Sequence, residues 1–332
     1  MLGFSTEDVK YIMTQIEIPK EKQEELLPIM KINYDGYVFS DMIRKNIENY
    51  KLYNSNMTLY FLNLYQEQNR VPEELVDINI LSDYSKIEAF MDLCQSMNKL
   101  ELLEKIVSGE DIESALTEKF NVEIEFGEKE LISLLFYLGY LTIKEKGFSK
   151  CKFQIPNDVI REIYSNYFLE YISRKANINT DSIDTEAINS ELLLEGNISK
   201  LLDVLKIFLE NLSNRDYCKF DEKYVKVIFY TICRMLGTVY VKSELEVNGR
   251  YADLLLIPKE NIQERYGILI EFKYIKQEDY EKDNELLNKK QEQAKLQLRD
   301  YMNSNEIKMI PNLRGYSVVV IKNRIEVKEI RL

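Results

Sequence analysis

Glu271 and Lys273 stand two residues apart in the run "GILIEFKYIK", residues 267–276, among Ile268, Leu269, Ile270, Phe272, Tyr274 and Ile275. Charges inside an apolar strand are rare unless they are paired or hold a metal. Alternation along a strand puts both on one face. Asp253 lies upstream in "ADLLLIP", a strand closed by Pro258. If the two segments form an antiparallel hairpin centred between Ile262 and Gln263, residue i pairs with about 525 − i and Asp253 falls opposite Phe272. Whether Asp253 shares the Glu271 face then depends on a one-residue register. Two carboxylates a few ångström apart make a site for a hard cation such as Mg²⁺ or Mn²⁺, which takes carboxylates, waters and a substrate phosphate. Lys273 beside them could orient water or steady a phosphate oxygen, as attack of water on a phosphodiester requires. The competing explanation is an edge-strand Glu–Lys pair facing solvent.

Composition narrows the chemistry. The 332 residues contain no histidine, which removes His bases, His triads and His metal ligands. The four cysteines, Cys94, Cys151, Cys218 and Cys233, form no CxxC pair and read as reduced, buried thiols of a cytoplasmic protein. No apolar run is long enough to cross a membrane, and "MLGFSTEDVK" lacks the pattern of a signal peptide. The net charge of −12 is uneven. Residues 215–332 carry 22 Lys+Arg and 19 Asp+Glu, or +3, which leaves −15 for the rest. That split implies two parts with different tasks, unless it is scatter in surface composition.

The elements follow from periodicity. Residues 1–200 read as an acidic, mostly helical domain. "STEDVKYIMTQI" opens with a capping box, Ser5 with Asp8, and puts Val9, Ile12, Met13 and Ile16 on one face. "NYDGYVFS" is a turn at Gly36, "LYNSNMTLYFLNLYQEQN" a helix and "CKFQIP" a strand. Residues 201–332 change character. A helix, "DEKYVKVIFYTICRML", precedes the strands "VYVKSELEV", "ADLLLIP" and "GILIEFKYI". A charged helix over 279–301 and two strands, "GYSVVVIK" and "RIEVKEI", complete an α/β sandwich with a mixed sheet. Glu222 sits on the apolar face of the first helix with Val225, Phe229 and Ile232. It points at the sheet, or else complements the helix dipole. Gln297 stands at the edge of the apolar stripe of the charged helix, where ordinary helix surface is the alternative.

The ordered set "SELEVNGRYADLLLIP…YGILIEFKYIK…QAKLQLRDYM" resembles the PD-(D/E)XK nuclease superfamily, in the form found at the C-terminus of bacterial AAA-ATPase-like proteins. The resemblance implies a restriction-endonuclease-like fold and Mg²⁺-dependent phosphodiester hydrolysis. Glu222 would match the family's helical Glu, Glu244 the acid before the turn and Asp253 the motif Asp. Glu271 and Lys273 would match E-x-K, and Gln297 the helical Gln. Asp253 and Glu271 would hold the metal. The family often has a His near its first Glu, and this chain has none. "LGFSTEDV", "NYDGYVFS", "LYNSNMTLYFL" and "INILSDYSKI" resemble the region after the ATPase core, but no phosphate loop occurs, so no ATP site is expected. The expected partners are nucleic acid, with DNA favoured over RNA, and a protein bound through the acidic helical part, with no membrane. The alternative function is a catalytically silent nuclease-fold module, for binding or regulation, as in a partner-dependent defence or toxin component.

Overall fold

A computed structural model describes residues 3–39, 50–72, 75–76, 84–94, 98–117, 126–212, 221–247, 249–259, 265–283 and 285–331. Cys218, Asn248, Ile262, Gln263 and most of "INILSDYSKI" lie outside them, as does the side chain of Glu244. The chain divides into two compact units, Met1–Tyr167 and Phe168–Leu332. Among the described residues, no helix is long and apolar enough to cross a membrane.

The first unit is mostly helical. Its first helix, Thr6–Gln15, carries the expected capping box. Ser5 Oγ accepts from Asp8 N at 3.2 Å, and Asp8 Oδ2 accepts from Ser5 N at 2.8 Å. Val9 and Met13 on its apolar face are buried. The turn at Gly36 needs glycine, because φ is +104° and a Cβ would lie 2.0 Å from Pro156 O. Asn157 fixes the same turn by donating to Asp35 O at 3.0 Å. "CKFQIP" is the central strand, Cys151–Gln154, of a three-stranded antiparallel sheet with Ile112–Ser114 and Thr142–Lys146.

The second unit is built on five strands: β1 Val239–Val247, β2 Arg250–Pro258, β3 Ile268–Ile275, β4 Arg314–Ile321 and β5 Arg324–Ile330. Their order in the sheet is β5-β4-β3-β2-β1, with β3 and β4 parallel and every other pair antiparallel. This is the mixed sheet expected from sequence. Helices α1 Ser199–Asn211 and α2 Glu222–Met235 precede it. The charged segment forms two helices rather than one, Gln277–Lys282 and α3 Leu286–Met302. The break comes at Asp283, whose carboxylate accepts from Glu285 N at 2.9 Å and so favours a turn over continued helix.

Each face of the sheet has its own cover. On one face Phe272 meets Phe229 of α2 edge-to-face, ring centroids 5.0 Å apart. On the other, Leu255 and Leu269 pack with Leu298, Tyr301 and Met302 of α3. Further along that second face, Ile275, Val319 and Ile321 pack with Leu286 and Leu287. The segment 185–198 also belongs to this unit. Tyr266 N donates to Leu193 O at 3.1 Å, and the Tyr316 hydroxyl donates to Gly196 O at 2.6 Å.

Gly196 has φ +66°, and a Cβ there would lie 2.7 Å from the Tyr266 ring and 2.8 Å from Arg314 Nε. Arg314 and Tyr266 are themselves stacked, 4.3 Å from guanidinium to ring centre. Gly196→Ala adds a left-handed side chain to a filled space, so it is expected to destabilise by about 1–3 kcal/mol. Urea unfolding checks this, and an unchanged midpoint would show that the segment 185–198 is not anchored in this way.

Candidate active site

The β2–β3 ladder is short. It joins Leu254 to Ile270, Leu255 to Leu269 and Leu256 to Ile268. Beyond Leu254, β2 stays with β1, while β3 runs beside β4 over all eight of its residues. The two central strands therefore part where Asp253 and Glu271 follow. The ladder also corrects the expected register by one residue, since its pairs sum to 524 rather than 525. Extended by one step, it sets Asp253 across from Glu271, not Phe272. Alternation puts Glu271 and Lys273 on the face of Leu269, which α3 covers, whereas Asp253, where the strands have parted, is held by Lys226 of α2 and the Phe272 N–H. The sequence could not set this register because apolar alternation in β2 and β3 fits either choice.

Strands that part leave backbone donors without a ladder partner, and a buried donor must be satisfied. Here side-chain carboxylates satisfy them. Asp253 Oδ2 accepts from Phe272 N at 2.7 Å, and Glu222 Oε2 accepts from Tyr274 N at 3.2 Å. Glu222 reaches β3 because it opens α2, whose N-cap Asp221 accepts from Tyr224 N at 2.9 Å. Its expected orientation toward the sheet is what the structure has.

Lys226, one turn along α2, joins the two carboxylates. Its Nζ lies 2.6 Å from Asp253 Oδ1 and 2.9 Å from Glu222 Oε1. The sequence analysis missed it. The available signal was its i+4 spacing from a glutamate that faces the sheet. Burial works against the Lys226 charge, but Asp253 and Glu222 outweigh it and hold the ammonium above the usual lysine range. Burial likewise works against the Glu222 charge, but Lys226, Lys273 and the Tyr274 N–H together keep its pKa below the ordinary value.

Glu271 is in a different state. It is 2% exposed; Lys273 Nζ donates to its Oε1 at 2.8 Å, and its Oε2 has no partner among the described residues. Burial and then the charge of Asp253 push its pKa up to about 7, against the pull of Lys273 and Lys226. Lys273 is itself only 8% exposed, which excludes the solvent-facing edge pair.

Residues 220–329 match the family model of the PD-(D/E)XK nuclease superfamily. This part of the chain is a PD-(D/E)XK nuclease superfamily domain. Its five-stranded mixed sheet fits the restriction-endonuclease-like fold. No curated protein and no solved structure matched the chain.

The nuclease domain places Gln297 on α3, between buried Ala294 and Tyr301. Tyr301 donates to Tyr251 O at 2.9 Å and receives a hydrogen bond from the Gln297 side chain. Burial and then the charges of Glu271 and Asp253 raise the Tyr301 pKa, so its hydroxyl stands in the field of both carboxylates. Among the described residues, Gln297 Oε1 is buried without a partner. Another such group escaped sequence analysis. Ser317 on β4 pairs in register with Glu271, is wholly buried, and its hydroxyl has no partner among the described residues. The signal was a lone hydroxyl in the run "GYSVVVIK". Glu271, Lys273 and Ser317 thus lie together on neighbouring strands β3 and β4, between Leu269 and Ile275 of the two apolar patches.

The donor set suits a hard divalent ion. It consists of oxygen alone, and the unpartnered Glu271 Oε2 beside the charge of Asp253 is a buried acceptor that a cation would relieve. Among the described residues no three His, Cys, Asp or Glu side chains form a closed metal cage. Two carboxylates, with waters and phosphate at the other positions, are the pattern Mg²⁺ prefers.

Proposed function

We propose that the nuclease domain hydrolyses phosphodiester bonds of nucleic acid, with DNA the favoured substrate and Mg²⁺ or Mn²⁺ held by Asp253 and Glu271. The observation that carries this is Glu271, a buried carboxylate with one oxygen on Lys273 and the other unpartnered. A bound ion there supplies Lewis-acid polarisation of the phosphate and a more acidic water. Lys273, held by Glu271, offers its ammonium to the attacking water or a phosphate oxygen. Water adds at phosphorus and gives up a proton to solvent, the bond to one ester oxygen breaks, and that oxygen leaves with a proton from solvent. Glu222 and Gln297 support the site, Glu222 by holding the Tyr274 N–H and Lys226.

One observation favours a second reading, a nuclease fold that binds without turnover. Both oxygens of Asp253 are engaged in this structure, by Lys226 and by the Phe272 N–H. In either case the acidic N-terminal unit is proposed to take a protein partner, in keeping with its resemblance to the region after an ATPase core. Cleavage of single- and double-stranded DNA and RNA in Mg²⁺ and in Mn²⁺ separates the two readings. Metal-dependent cleavage is expected, falling by about 10² or more in Asp253→Ala. A wild-type protein that binds nucleic acid but cleaves none of the four substrates in either metal would leave the binding module as the function.

A further inference from the structure

Asp253 Oδ2 is bound by the N–H of Phe272, which the ladder between β3 and β4 holds in place. Its Oδ1 is bound by Lys226, whose ammonium also reaches Glu222 Oε1. Of these two partners only the lysine can yield. A four-carbon stem moves freely, whereas a backbone donor in a central strand does not. The Lys226 side chain is 29% exposed, so it has a way out to solvent, and Glu222 remains to hold it after release. Lys273 differs, because its side chain is buried and bound to Glu271.

We propose that Lys226 is the built-in cation of the metal-free site, and that a divalent ion gains Asp253 by displacing it. The inference rests on the metal site proposed above and gives the two lysines separate tasks: Lys273 stays with the ion, Lys226 exchanges with it. Two cations that compete for one oxygen are linked, and each weakens the other's hold by the same factor.

The test uses the full chain and Mn²⁺ alone, with affinity read by titration and by the signal of free Mn²⁺ in paramagnetic resonance. Lys226→Met is expected to bind Mn²⁺ about tenfold tighter or more, the scale of an ordinary coupling between two ligands. Lys328→Met removes an exposed charge from β5, at the far edge of the sheet, and is expected to shift affinity by no more than about threefold. In the unaltered protein, amine labelling read by mass spectrometry is expected to rise at Lys226, and not at Lys273, when Mn²⁺ is added. That second measurement decides the matter if Lys226→Met does not fold. Equal or weaker Mn²⁺ binding by Lys226→Met, or labelling of Lys226 that Mn²⁺ leaves unchanged, overturns the displacement and leaves the metal site standing. Absence of Mn²⁺ binding in the unaltered protein and in both variants overturns the metal site and this inference together.

Discussion

Lys273→Met is expected to lower metal-dependent cleavage by about 10² or more, the scale for losing one preorganised charge at a reacting phosphate. The same change is expected to leave the melting temperature nearly where it was. The two outcomes separate because of the state of Glu271. Removing one partner of a buried ion pair is usually costly, since the other is left as an unpaired buried charge. Glu271 has an exit from that cost. Its pKa already stands at about 7, so without Lys273 it takes a proton and remains neutral near neutral pH. Methionine fills the volume of the lysine stem in a position that is 8% exposed. Cleavage assays and thermal melts on the same preparations check the pair of outcomes. Full cleavage by Lys273→Met shows that this lysine serves packing alone. A large loss of both activity and stability shows that the pair holds the fold together.

The sequence disclosed this site unevenly, for physical reasons. Glu271 and Lys273 were visible because a charge within a continuous apolar run contradicts its surroundings. Asp253 was visible as a residue but not as a neighbour. The face it shares depends on a pairing register, which the composition of β2 and β3 leaves open. Glu222 was found from its place on the apolar face of α2. That same emphasis on apolar positions passed over Lys226, although it lies one turn from Glu222 and binds both acids. Ser317 was missed because a single hydroxyl among valines is compatible with an ordinary β-strand; its lack of a partner is a property of packing. The succession of strands along the chain was legible, since each is bounded by Gly, Pro or Asn. The early parting of β2 and β3 was not. It arises because β2 follows β1 while β3 follows β4, a division no local pattern records.

Stability and metal binding are expected to respond to pH in opposite senses, and Glu271 is the reason. Its ordinary pKa is 4.5, and burial beside Asp253 raises it to about 7 in the folded domain. Below pH 4.5 both folded and unfolded chains carry this proton, so Glu271 causes no pH dependence there. Between 4.5 and about 7 the folded state keeps a proton that the unfolded state has lost. The contribution of Glu271 to stability therefore falls as pH rises through that window. Above it both states are ionised and the full cost of the buried charge is felt, on the order of 3 kcal/mol. Glu222 acts the other way, since its lowered pKa gives a contribution that is lost as pH falls below the ordinary value. A metal ligand must be deprotonated, so the Mn²⁺ affinity of the site is expected to climb about tenfold per pH unit up to about 7 and then level off. Melting temperatures at pH 5.5, 6.5 and 8, with and without Mn²⁺, test both slopes. Without metal, the unaltered protein is expected to lose stability relative to Glu271→Gln as pH rises, because the amide cannot ionise. With Mn²⁺, the upward shift in melting temperature is expected to be small at pH 5.5, large at pH 8 and absent in Glu271→Gln. A shift of equal size at both ends of the range, or one that Glu271→Gln retains, would place the ion elsewhere and return Glu271 to the role of a buried partner for Lys273.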